Sequence, residues 1–227
     1  MRITFRENTT PKAVLLHMLI VFVSLMFNGL GVACTMAADI GVGPWEVLTV
    51  GLSKSLGILY GNVSIAVSVV VIALDLAMRE PLGLAMLLEA VTVGKTVDLI
   101  QYLGFLHKPK TLVGSIALLL AGLAVIGYAQ FFYMSSALGC GSKDALLVGL
   151  KRRIPKIPIG VVCIGLLCVV TFAGWLMGGP VGIGTVLFAV FCGPAMQLAF
   201  RTFGAEPTAV KHQNILQSLR VLTGRQR

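Results

Sequence analysis

Residues 157–177 read IPIGVVCIGLLCVVTFAGWLM, a run of 21 residues without a single charge. As a helix such a run is ~30 Å long, which matches the hydrocarbon core of a bilayer. Inside hydrocarbon the backbone must satisfy its own hydrogen bonds, and a helix does so within one segment. Further apolar runs lie near 13–36, 61–78, 82–105, 111–136 and 180–201. A chain built this way is predicted to be an all-α polytopic membrane protein with five or six spans. Composition says the same: 57% of residues are hydrophobic and 12% are charged, against about 25% charged in a soluble domain. Mean hydropathy is +0.93.

The net charge of +9 is informative through its placement. With six spans and a cytoplasmic N-terminus, fourteen of the eighteen Lys and Arg residues fall inside and three outside, and Lys95 lies within a span. That asymmetry obeys the positive-inside rule. The basic balance therefore reads as topology and contact with anionic lipid headgroups, with both termini cytoplasmic, and not as nucleic-acid binding. Arg2, Arg6 and Lys12 precede the first span, but its apolar run exceeds the 7–15 residues of a signal peptide. It is read as a retained helix. The five cysteines, Cys34, Cys140, Cys163, Cys168 and Cys192, form no CxxC pair and stand near no histidine at metal-ligand spacing. No disulfide framework, metal site or cofactor is expected. No Ser/His/Asp or Cys/His constellation points to an enzyme.

The chain carries an internal duplication. GVGPWEVLTVGL at 41–52 aligns with GCGSKDALLVGL at 139–150 at an offset of 98. One inserted residue later, Pro81 and Gly83 meet Pro180 and Gly182, Gly94 meets Gly193, and Leu99 meets Leu198, all at 99. Each half reads as span, short polar helix, span, PxG turn, span. The expected units are a first repeat over 1–106, a second over 107–203 and a basic cytoplasmic tail over 204–227. In that tail Ile215, Leu216, Leu219 and Leu222 share one face of an amphipathic helix. Three crossings per half, an odd number, would set the halves in opposite orientations, a common construction in secondary transporters. The segments from about 44 to 56 and 142 to 153 are ~20 Å or less as helices, too short to cross, and are read as re-entrant. If both did cross there would be eight spans and parallel repeats, and the positive charges would divide about as well. Length and the acids in these segments favour six.

At these residues the chain resembles a known family. ADIGVGPWEVLTVGLSKSLG, then GNVS, then PLGLAMLLEAVTVGKTVDLI is similar to the YczE/YyaS/YitT group of bacterial integral membrane proteins, nearest its YczE-like branch. The family pattern is a DLGxxPWD-type segment after the first span and G-x-x-x-D late in the third. Here these are Asp39, Gly41, Pro44, Trp45 and Glu46, then Gly94 and Asp98. Glu46 replaces the commoner Asp, and Lys95 follows Gly94 where Pro or an apolar residue is usual. The likeness runs over about 15–200 and implies a bacterial inner-membrane protein of five or six spans, with little about substrate.

Ionisable groups inside a membrane cost roughly 2.5–3.5 kcal/mol at its centre, so they face the protein interior and mark function. The candidate substrate- or ion-binding residues are Asp39, Gly41, Gly43, Pro44, Trp45, Glu46, Gly94, Lys95, Asp98, Gly141, Lys143 and Asp144. Lys95 and Asp98, three apart, share a helical face and are expected to pair. Glu89 lies nine residues before Asp98, on the opposite face, toward a subunit, a helix partner or interfacial water. Asp75 with Arg79 reads as a structural pair, His17 as a packing residue, and Trp45 and Trp175 as interfacial anchors. Transport or export of a small molecule or ion at a midplane site between repeats is the expected function. A membrane scaffold or regulator, or the substrate-binding subunit of a larger transporter, is the alternative. Self-association into a homo-oligomer is compatible with either.

Overall fold

The computed structural model describes residues 10–139 and 141–204, together with Ile215 and Val221. Cys140 and the rest of the tail, with its expected amphipathic helix, lie outside the described residues. Among those described there are eight helices and no strand: α1 (Pro11–Ala37), α2 (Pro44–Leu56), α3 (Tyr60–Ala77), α4 (Leu84–Leu103), α5 (Leu112–Ser135), α6 (Ser142–Arg153), α7 (Ile159–Leu176) and α8 (Ile183–Thr202). Five of them, α1, α3, α5, α7 and α8, are long and apolar enough to cross a membrane. The sixth long helix, α4, has 20 residues but carries Glu89, Lys95 and Asp98. Leu15, Leu16, Leu19, Phe27, Val70, Ile164 and Phe172 are among the large apolar side chains left exposed, as on a surface made for lipid.

Local chemistry sets the ends. Thr10 caps α1 by accepting from Ala13 N at 3.3 Å, and Thr111 caps α5 by accepting from Gly114 N at 3.1 Å. Pro44 starts α2 at its first turn, where its missing N–H is no loss. Gly57 and Gly104 close α2 and α4 in the left-handed conformation, at φ 67° and 66°.

The helix boundaries repeat. Tyr60–Ala77 and Ile159–Leu176 start and stop 99 residues apart, as do Leu84–Leu103 and Ile183–Thr202, while Pro44 and Ser142 start 98 apart. The contacts repeat too, and reciprocally. Gly184 N donates to Ile40 O at 2.7 Å, and its counterpart Ala85 N donates to Leu138 O at 3.2 Å. Gly41, at φ 106°, lies against Gly182, and Gly139, at φ 123°, lies against Gly83. At both places a Cβ would meet backbone, so only glycine fits.

α1 and α5 form the spine and run antiparallel: His17 bonds Ser136 O, Gly31 lies on Gly122, and Ala38 packs on Leu119. Small residues let these backbones approach, since a Cβ on Gly122 would stand 2.7 Å from Gly31 O. α4 packs on α1 and α8 on α5, while the short α2 braces the end of α7 and α6 the end of α3. One pairing breaks the pattern. α3 packs along α4, where a Cβ on Gly94 would stand 3.0 Å from Gly61 Cα. α7 does not pack along α8 in the same way, and the equivalent Gly160 and Gly193 have open space beside them.

One smaller expectation needs correction. Asp75 and Arg79 form no ion pair: the Asp75 carboxylate is buried without a hydrogen-bond partner, and Arg79 takes a left-handed turn at φ 60° that points the chain into the loop. Glu80 holds the basic partner at that corner instead, accepting from Arg152 Nη1 at 3.0 and 2.9 Å. Trp45 is half-buried, with a lysine over its ring.

Candidate functional site: an intramembrane charge cluster

The two short helices place their first turns toward one another. Each follows a glycine with nearly the same extended backbone, Gly43 at φ −61°, ψ 157° and Gly141 at φ −65°, ψ 156°. Trp45 and Lys143 are the second residues of α2 and α6 and equivalent in the repeat, and they meet: Lys143 Nζ stands 5.6 Å from the Trp45 ring centroid. A cation over indole contributes about 0.5–2 kcal/mol, more as water is excluded. Glu46 Oε1 lies 3.8 Å from the same Nζ, with only 10% of the Glu46 side chain exposed.

Two more side chains complete the opposed ends. Glu89, from α4, accepts from Ser142 N at 3.2 Å, so a carboxylate caps the positive end of α6. At the corresponding place on α2 the ring of Phe188 covers Gly43. Both capping residues are glycines with side-chain ends packed close against them. A Cβ on Gly141 would stand 2.9 Å from Glu89 Oε2, and one on Gly43 would stand 2.8 Å from Phe188 Cζ. Asp144, the counterpart of Glu46, has Gln130 Nε2 at 3.4 Å and is exposed to the space beside it. The Glu89 and Asp144 carboxylates both lie against Gly141. The cluster thus sets three carboxyl groups against one ammonium, between two helix N-termini. Such a set can hold a proton or a cationic group and exchange it for the lysine. Among the described residues the acids do not converge into a set able to hold a metal ion.

Of the residues singled out in the sequence, Gly43, Pro44, Trp45, Glu46, Gly141, Lys143 and Asp144 come together here. The others are engaged elsewhere. Asp39 pairs with Lys108 at 2.6 Å, more than half exposed, and Gly41 makes the turn against Gly182. Asp98 accepts from Gly61 N at 2.8 Å and so caps α3. Lys95 lies 3.9 Å from Asp98 and donates to Asn62 at 2.6 Å, and Gly94 packs on Gly61. Glu89, Gln130 and Phe188 belong to the cluster without having been chosen. The nine-residue spacing that turns Glu89 away from Asp98 was the available signal for the first. Gln130, a polar residue in an apolar span, reads from the sequence as a side chain that bonds between helices, and nothing local marks Phe188.

The comparisons place the chain. Residues 15–201 match the description "Family of unknown function (DUF6198)". The chain is 29% identical over 174 residues to the "Uncharacterized membrane protein YczE" of Bacillus subtilis, covering 76% of this chain and 80% of that protein. It is 30% identical over 178 residues to an "Uncharacterized protein" of Haemophilus influenzae, with 78% and 80% covered. "Uncharacterized protein YyaS" of Bacillus subtilis is 25% identical over 175 residues, with 73% and 83% covered. No solved structure matches. With a membrane protein among its relatives, five helices long and apolar enough to cross a bilayer and a match over most of its length, the chain is an integral membrane protein and belongs to the DUF6198 family.

Proposed function

We propose that the protein moves a small molecule across the bacterial cytoplasmic membrane, by exchanging the conformations of two inverted three-span repeats about the charge cluster. The observation that carries this reading is the unequal packing of the two halves. Gly61 and Gly94 bring α3 and α4 together, while Gly160 and Gly193, at the same places in the second half, face open space. A repeat protein whose halves differ in this way has a second arrangement of similar quality, with the roles of the halves swapped. Gln197, the counterpart of Asp98, keeps an acceptor with which α8 would cap α7 when that pair closes.

The inverted relation is supported by the antiparallel run of α1 and α5 and by the reciprocal contacts of Ile40 with Gly184 and Leu138 with Ala85. The opposed N-termini of α2 and α6 support a site between repeats, reached from one side at a time. The distribution of Lys and Arg supports cytoplasmic termini. Within the site, Glu46, Glu89 and Asp144 are the proton or cation acceptors, and Lys143 is the internal cation that holds Glu46 when no substrate does.

Proteoliposome flux tests it. With purified protein reconstituted against a panel of labelled small solutes, at least one solute shows saturable counterflow. Glu46→Gln and Asp144→Asn each reduce it by tenfold or more while the protein stays folded. No counterflow for any solute, with protein competent by thermal unfolding, would sink the transport reading.

A further inference from the structure

We infer that the substrate of this site is a cation carried on an apolar body, and that it enters sideways from the bilayer between α7 and α8. The inference rests on the site just proposed and names the class of molecule it takes. Where α7 and α8 diverge they wall a cavity of about 950 Å³, a size that holds a drug-sized ligand. Its walls are Leu167, Phe172 and Trp175 on one side and Val186, Ala189 and Val190 on the other, with Pro44 at the floor. Pro44 opens the first turn that carries Glu46. Phe188 of α8 and the Glu46 carboxylate both crowd Gly43, the residue before Pro44. An apolar groove therefore ends beside Glu46, at the edge of the charge cluster.

Charge decides the occupant. A bilayer acyl chain would fill the groove but would bring no charge to a cluster in which three carboxyl groups share the one ammonium of Lys143. Asp144 in particular has the Gln130 amide at 3.4 Å and shares the Lys143 charge with Glu46. A cation tethered to an apolar group satisfies both parts at once. The second large cleft, about 610 Å³ between α1 and α5, makes the contrast: its lining has only Ser24 and Tyr128 as polar residues and no short-helix terminus.

The experiment is equilibrium binding of labelled tetraphenylphosphonium to the purified full chain in detergent. Tetraphenylborate, of the same shape and opposite charge, and tetramethylammonium, the charge without the apolar body, are the comparators. Saturable binding of the phosphonium, at least tenfold tighter than either comparator, is expected. Asp144→Asn should weaken it tenfold or more, as should filling the groove by Ala189→Trp or, where that variant is unstable, Val186→Trp. Equal binding of phosphonium and borate, or binding untouched by Asp144→Asn, overturns the inference. So does an Ala189→Trp variant that binds normally but separates a dimer into monomers, for the groove would then be a contact between copies. Binding without any flux keeps this site and defeats transport. Flux that needs Asp144 with no phosphonium binding does the reverse.

Discussion

Trp45 and Lys143 hold the same place in two copies of one motif, yet one is a ring and the other a cation, and they stand on each other. A pair of identical residues could not do this, so divergence between the repeats is itself what stabilises the meeting of the short helices. The pair also neutralises Glu46. Lys143→Met should therefore destabilise the protein by about 1–3 kcal/mol, because a largely buried carboxyl loses its partner. Adding Glu46→Gln should recover most of that loss, as read from thermal unfolding of both variants in detergent. Equal stability of the single and double variants would mean the two groups do not interact. The sequence made Glu46, Lys143 and Asp144 visible as acids and a base in an apolar chain. It did not show that they face one another. Periodicity orders residues around one helix but says nothing of the helix opposite, and Glu89 finds its partner Ser142 53 residues away. Asp39 illustrates the converse. It sits in the family motif, but its φ of 51° is shared by its counterpart Ala137 at 58°, so the position is a turn first, and Lys108 takes the charge.

Among the elements, α4 is the helix whose composition made least sense alone. Its two acids explain it: Asp98 caps α3 on one face and Glu89 caps α6 on the other, each a charge-assisted hydrogen bond of about 1.5–3 kcal/mol. The helix is a bracket between two others. The short helices are braced at their far ends, unequally. Arg152 of α6 grips Glu80, whose side chain is only 5% exposed. Its counterpart Lys54 on α2 reaches only the Gly178 carbonyl, at 3.5 Å. Arg152→Ala should cost about 1–3 kcal/mol by leaving Glu80 buried and unpaired, and Lys54→Ala no more than about 0.5 kcal/mol. Chemical denaturation of the two variants side by side would measure it, and equal losses would refute the difference. At this scale the sequence was most legible. Hydropathy, the PxG turns and the glycines preceding each short helix located all eight helices of the described residues, and the offsets of 98 and 99 reappear in their boundaries. The splaying of α7 from α8 was not legible, since Gly160 and Gly193 look like Gly61 and Gly94 on paper. What differs is the acid at Asp98, which ties α4 to α3 and has only Gln197 as its counterpart.

For the molecule as a whole, the closed pair in one half and the open pair in the other make a concrete demand on the proposed exchange. In a background lacking the native cysteines, Gly160→Cys with Gly193→Cys should cross-link under mild oxidation in membranes, although these positions have open space beside them here. Substrate that traps the open form should slow the reaction severalfold. A pair that never links, with both thiols shown reactive, would mean the gap does not close.

The bracket role of α4 also orders the making of the protein. Glu89 needs the N-terminus of a helix that has not yet been synthesised when α4 leaves the ribosome, 53 residues too early. At ~5–20 residues per second the wait is about 3–10 s. Through that interval a helix bearing Glu89, Lys95 and Asp98 has only α1 and α3 to shelter it. The first half is thus left unfinished at birth, and the arrival of the second gives Glu89 the helix end it caps.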